Sequence, residues 1–258
     1  MDQIFEKIIF EIGNNHLGDI NYFNQYIDLL IKKDVKNVSF QIREEKFYKD
    51  NNNLILNQNL LLDGFEKLRK NHIKIGYAVS DTNYKKYVGE YTPDFFKVLS
   101  WASDNLDLIN YLYKSNIPIY LSLGTLSQKA IFDLLAKIEN KFNNIRLIHT
   151  QLNYNFKDLN LMFIKKLKSK TNIPICYGHH AKATLIPLYM SLALNVHKIF
   201  VYIKIDNSKL HPDEDHALYF SEIESFKKDL NLCIGSLGTE VKNSSINYIE
   251  KIDKERKK

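Results

Sequence analysis

Ile8-Ile9-Phe10-Glu11-Ile12-Gly13-Asn14-Asn15-His16-Leu17-Gly18-Asp19 opens the chain with an apolar run that ends in a carboxylate, two amides, an imidazole and two glycines. A helical pattern follows at once. Polar groups at the end of a buried strand are costly unless paired, so they gather there for a ligand. Similar β-rich runs recur along the chain at Val38–Ile42, Ile73–Val79, Phe95–Ser100, Ile117–Gly124, Ile145–Leu152, Ile173–Tyr177 and Lys198–Ile205. Between them lie helical patterns at Tyr22–Lys33, Leu60–Lys70, Leu106–Ser115, Gln128–Phe142, Leu161–Lys170 and Thr184–Leu194, with Ala217–Leu230 closing the series. Only Asp81–Asp94 reads poorly as a helix. Continuous apolar runs mark parallel strands buried on both faces. Eight of them, each followed by a crossover, predict an α/β fold of the (β/α)8 TIM-barrel class in a single domain. The competing doubly wound sheet lacks a Gly-rich turn after its first strand.

The 258 residues suffice for one such domain, and 45% apolar and 12% aromatic content supply a core. No Pro/Gly-rich linker divides the chain, so residues 1–240 read as the barrel and 241–258 as a charged tail. No long uncharged apolar run suggests a membrane span, and the N-terminus lacks the order of a secretory signal, so a cytoplasmic protein is expected. Cys176 and Cys233 sit far apart in apolar patterns, as packed thiols rather than a disulfide. The net charge is +6, and residues 251–258 carry five basic and two acidic groups. The remaining excess reads as spread over helix faces without a basic stripe, which argues against nucleic acid.

A barrel places function at the C-terminal ends of its strands. Those ends carry Glu11, Asn15 and His16; Gln41; Ser80 and Asp81; Ser100; Ser122; Thr150 and Tyr154; His179 and His180; and Lys204 and Asp206. Hydroxyls, amides and imidazoles in such a ring suit a polyhydroxylated or phosphorylated ligand. His16 could equally cap the turn before the first helix, and Lys97 could snorkel outward from its run.

Seven collinear segments resemble the N-acetylneuraminate (sialic acid) synthase family. Glu11 to Asp19 resembles its EIGxNHxGD, Val38-Ser39-Phe40-Gln41 its VKFQ, and Lys97 to Ser100 with Asn105-Leu106 its KIxSGExxNL. Pro118 to Gly124 resembles PVILSTG, Leu147-Ile148-His149 with Tyr154 resembles LLHCxxxYP, Pro174 to His180 resembles PVGYSDH, and Asp215-His216 its PDH. The resemblance implies condensation of phosphoenolpyruvate with an N-acyl hexosamine to a nonulosonic, sialic-type acid, aided by a divalent manganese or magnesium ion. It implies Glu11, Lys97 and His180 as catalytic residues and Asn15, His16, Gln41, Ser100, Ser122, Tyr154 and Lys204 as ligand contacts. His180 would be a metal ligand, and a homodimer is the implied assembly. Several positions depart from the family pattern: Ser39 stands for a lysine, Trp101-Ala102 for Gly-Glu, Gly178-His179 for Ser-Asp, and Phe200-Val201-Tyr202 for Glu-Lys-His, so Tyr202 replaces the second metal histidine. The antifreeze-like domain usual in that family has no counterpart in this sequence. One histidine rarely holds a divalent ion. Two repairs offer themselves: Lys204 standing in for the metal's charge, or His179, His180, His211 and Asp213 building another site. A barrel lysine at Lys204 also admits a Schiff-base aldolase. The expectations therefore divide between an altered synthase and a degenerate barrel that binds a sugar or phosphate ligand or partners another glycan-assembly enzyme.

Overall fold

The apolar runs fold as parallel strands whose two faces are both covered, one by helices and one by the barrel interior. The computed structural model describes residues 5–152, 155–182, 184–206, 208–239 and 252–256. Strands β1 (Ile8–Gly13), β2 (Asn37–Ile42), β3 (Lys74–Val79), β4 (Phe95–Val98), β5 (Ile119–Ser122), β6 (Ile145–His149), β7 (Ile175–Gly178) and β8 (Ile199–Lys204) pair in sequence order. β8 then pairs with β1, from Ile8 with Ile199 to Glu11 with Tyr202, and closes the ring. This is the expected (β/α)8 barrel.

The crossovers carry helices α1 (Ile20–Lys32), α2 (Glu45–Asp50), α3 (Gln58–Lys70), α4 (Lys85–Val88), α5 (Leu106–Tyr113), α6 (Gln128–Ile138), α7 (Met162–Lys168), α8 (Ile186–Ala193) and α9 (Ile223–Leu237). Their starts follow capping chemistry: Asp19, Asn57, Asn105 and Ser127 each accept backbone N–H bonds from the first turn of α1, α3, α5 and α6. Between β3 and β4 only a 3-10 turn and the one-turn α4 form, as the weak pattern there predicted. Two expectations shift. The short α2 was not anticipated. The closing helix begins at Ile223 rather than Ala217, because Leu218–Tyr219 form a further short strand, β9, that extends the end of β8.

Inside the ring, the two-residue period stacks side chains in layers. Ile9, Phe95, Tyr120, Ile148, Cys176 and Phe200 form a plug of their own, distinct from the larger core between strands and helices. The Tyr120 ring meets Phe95 edge-on at 5.6 Å and Phe200 at 5.2 Å. Phe95 fits only because β3 contributes Gly76, where a Cβ would lie 2.0 Å from the Phe95 ring. Cys176 is sealed in this plug and Cys233 is half-buried; both are free thiols. The plug divides the interior into an upper mouth at the strand C-terminal ends and a lower mouth at their N-terminal ends. No helix among the described residues is long and apolar enough to cross a membrane.

Candidate functional site at the upper mouth

One layer above the plug, β1 contributes Glu11 and β4 contributes Lys97. These strands stand three places apart in the ring of eight, so the two side chains meet across its interior. Lys97 Nζ donates to both carboxylate oxygens of Glu11, at 2.6 and 2.7 Å, and both residues are at most 4% exposed. The rings of Phe200 and Tyr202 lie 5.3 and 5.6 Å from the same ammonium. The expected ligand lysine is thus already held by a carboxylate.

Lys97 also lines a cavity of about 440 Å³ with Gln41, Ser100, Ser122, His180, Tyr202, Asp213 and His216 on its walls. Ser100 follows β4 in a 3-10 turn and Ser122 ends β5; their hydroxyls share a 2.7 Å hydrogen bond. Ser103 and Thr125 both donate to the Ser100 carbonyl and hold that turn in place. Gln41 accepts a bond from the Asn14 amide. The rim is aromatic and cationic: Arg43 lies 3.8 Å from the Phe47 ring and 4.7 Å from the Trp101 ring. Its guanidinium donates twice to Glu44, holding that carboxyl down at about 2.

Asp213, in the loop after β8, is placed by backbone geometry. Gly13 has φ +59°, and a Cβ there would fall 2.5 Å from the Asp213 carboxylate and 2.8 Å from the Tyr202 ring. Glycine therefore lets the carboxyl lie directly on the end of β1. Asn15 pins the same loop, accepting from the Asp213 N–H and donating to the Ile203 carbonyl. Burial, and then the charge of Glu11, push the Asp213 carboxyl up to about 7. It is thus partly protonated at neutral pH and can both give and take a proton.

The imidazoles are the reverse case. His180 and His216 stack with centroids 4.4 Å apart and planes at 27°, and Tyr202 meets His216 edge-on at 4.9 Å. Burial first, and neighbouring cationic groups next, hold His180 well below its usual range and His216 at about 3. Both are neutral near pH 7. His180 faces Tyr202 where the family pattern has a second histidine, and no group of three His, Cys, Asp or Glu side chains among the described residues is placed to hold a metal ion. A divalent ion prefers several oxygen or nitrogen donors together.

The structure brings Lys97, Gln41, Ser100, Ser122 and His180 to one cavity, and Glu11 joins them through Lys97. It sends three expected contacts elsewhere. Asn15 is fully buried in its two loop bonds. His16 accepts the Gly18 N–H on Nδ1 and packs on Phe23, so it caps the turn. Lys204 points into a separate cavity of about 410 Å³ beside His179, Lys182 and Asp215, with its ammonium 4.4 Å from the Tyr219 ring, because β8 leaves the ring there to pair with β9. It therefore does not line the cavity that His180 and Tyr202 share. His211 bonds to the Tyr22 hydroxyl at 2.7 Å and does not join His179, His180 and Asp213. Tyr154 lies outside the described residues. Arg43 was missed, although its spacing of two from Gln41 signals the same strand face.

A closed parallel barrel with a buried polar site at the upper strand ends defines the class to which this chain belongs. Within it, the NeuB family model matches residues 23–242, and the chain belongs to the NeuB family. It is 28% identical over 239 residues to an uncharacterized protein of Methanocaldococcus jannaschii, covering 87% of this chain and 68% of that one. It is 22% identical over 184 residues to a pseudaminic acid synthase of Campylobacter jejuni, covering 70% of this chain. The chain spans about half the length of that synthase, 51%. Among solved structures, N-acetylneuraminic acid (sialic acid) synthetase from Leptospira borgpetersenii, in complex with citrate, superposes with a TM-score of 0.82. That match has 23% identity over 97% of this chain and 91% of the other. A truncated 3-deoxy-D-arabino-heptulosonate 7-phosphate synthase from Thermotoga maritima shares the fold at a TM-score of 0.68, with 15% identity and 92% and 90% coverage.

Proposed function

We propose that the upper cavity joins phosphoenolpyruvate to the aldehyde of an N-acyl hexosamine, giving a sialic-type sugar acid, and that it does so without a metal ion. The observation that carries this reading is the convergence of Lys97, the Ser100–Ser122 hydroxyl pair and the proton-carrying Asp213 on one cavity. The hydroxyl pair and Lys97 offer donors to the carboxylate and phosphate of the enol substrate, and Gln41 offers an amide to the sugar. The enol carbon attacks the aldehyde carbon; the developing alkoxide takes the proton that Asp213 holds. Water then adds at the enol-phosphate carbon, and inorganic phosphate leaves as the C–O bond breaks. Proton donation from Asp213, beside Tyr202, replaces the polarisation a Lewis acid would supply.

The test is phosphate release from phosphoenolpyruvate with a panel of N-acyl hexosamines, in chelator and with manganese. Equal release in both supports the reading; release only with manganese overturns it.

A second reading rests on a different observation. Ser39 removes one phosphate cation, and Glu11 already occupies Lys97. A barrel that binds the sugar or phosphate ligand without turnover fits these losses. No phosphate release in any condition, with ligand binding by calorimetry, would establish it instead.

A further inference from the structure

The lower mouth has a composition that the proposed chemistry does not use. Two residues before three of the six plug residues, the inner-facing positions are cationic: Lys7 before Ile9, Arg146 before Ile148, and Lys198 before Phe200, while prolines (Pro93, Pro118 and Pro174) precede the other three. Lys74 holds the same position before Gly76 on β3. The period of two turns these positions toward the barrel axis, so four strands direct positive charge at one opening.

None of these groups forms a salt bridge among the described residues. Lys198 Nζ donates to the Glu6 carbonyl at 2.6 Å, and Arg146 Nη1 to the Ile145 carbonyl at 2.9 Å. The Arg146 Nε is buried with no hydrogen-bond partner. Burial first, then Lys74 and Lys7, hold the Lys198 ammonium below its usual range, against Cys176 and Glu6, which raise it. Lys168 is lowered in the same way, by burial and then Lys7. His197 is lowered by burial and then by Arg146, Lys198 and Lys7. The groups therefore share one field. A cavity of about 420 Å³ opens at this rim, with Lys7, Lys168, His197, Thr171 and Asn172 on its walls.

Glu6 faces Lys198 here, but the cationic groups outnumber it; like charges in excess repel, and a buried guanidinium N–H left unbonded is unfavourable. One ligand relieves both. We propose that the lower mouth of the barrel is a binding site for a compact oxyanion carrying two or more charges, of the diphosphate or phosphorylated-metabolite class, held by Lys7, Arg146, Lys168 and Lys198. Lys7 and Lys168 line the concavity, and Arg146 and Lys198 act on it from beside His197 rather than along a groove, which favours a small ligand over a nucleic-acid strand. This also revises the expectation that the excess charge is spread without a cluster.

Inorganic pyrophosphate, titrated by calorimetry at low salt, is the probe. The wild type is expected to bind it, and Lys7→Gln/Lys198→Gln to bind about tenfold or more weakly, as expected for losing charge-assisted bonds. Arg146→Gln is expected to weaken binding similarly, and Ser122→Ala, at the opposite mouth, to leave it unchanged. Should the double variant not fold, Lys74→Gln, at an exposed position, serves in its place. The proposal is overturned if the wild type binds no pyrophosphate, if the lower-mouth variants bind it as the wild type does, or if Ser122→Ala abolishes it. Tighter binding of a single-stranded oligonucleotide than of pyrophosphate would overturn the small-ligand assignment too.

Discussion

The two mouths of this barrel are built from the same strands, two layers apart, and treat charge in opposite ways. Above the plug, the buried ammonium of Lys97 is matched by Glu11, the histidines are neutral, and Asp213 carries a proton part of the time. Below it, Lys7, Lys74, Arg146 and Lys198 gather at one opening, where Lys198 and Arg146 donate to backbone carbonyls. The upper mouth is a preorganised polar site whose charges would be costly to separate. The lower mouth gathers more positive charge than Glu6 offsets. A barrel's lower face usually serves stability; like charges there cannot, which is why the contrast points to a ligand.

Substitutions test the contrast by sign. Lys97→Met leaves Glu11 buried without its partner and is expected to destabilise the fold by about 3–5 kcal/mol, seen as a lower denaturant midpoint. Adding Glu11→Gln to it should recover a large part of that loss; no recovery would mean that the pair is not the unit of stability. Next in size is Gly13→Ala. Its positive φ and the 2.5 Å approach of the Asp213 carboxylate predict a loss of about 1–3 kcal/mol, together with weaker ligand binding at the upper cavity. The smallest effect has the opposite sign. Lys74→Gln at the lower mouth should stabilise by a few tenths of a kcal/mol at low ionic strength, and the gain should vanish in high salt. A destabilisation there would break the contrast.

The pH dependence follows from the buried groups of the upper mouth and its surroundings. His16 and His179 at about 4, His216 at about 3 and His180 well below 6.5 are neutral in the fold. The unfolded chain binds those protons below about pH 6.5, so stability rises with pH across that window. Asp213 works against this: its folded value of about 7 lies above 3.8, so the fold holds a proton the unfolded chain has lost, and stability falls as pH rises toward 7. Several histidines outweigh one carboxyl below 6.5, and Asp213 alone acts between 6.5 and 7. Urea midpoints across pH should therefore peak near pH 6.5, and Asp213→Asn should remove the decline on the alkaline side.

The barrel was legible because strands buried on both faces must be apolar throughout, and β1, β2 and β8 are buried at every position. Glu11, Gln41, Ser100, Ser122 and His180 of the inner ring followed from where those runs end, and Lys97 from the family resemblance. The misplacements fall where periodicity stops. Asn15 and His16 lie past the end of β1, in a turn whose own hydrogen bonds consume them. Lys204 shares a strand face with Tyr202, yet β9 draws the end of β8 off the ring. Asp213 had no periodic signal: a loop that crosses 198 positions of sequence to meet Asn15, and that also packs on Gly13, is positioned by packing alone. The pairing of Lys97 with Glu11 was hidden for a related reason, since sequence gives each residue a face but not the partner across the ring.

The most direct test of the proposed chemistry is the pH profile of phosphate release from phosphoenolpyruvate and the accepted hexosamine, measured in chelator. If Asp213 supplies the proton, kcat/KM should fall as pH rises through about 7, and Asp213→Asn should remove most of the rate at every pH. A profile flat through pH 7, or a rate that returns only when manganese is added, would contradict it.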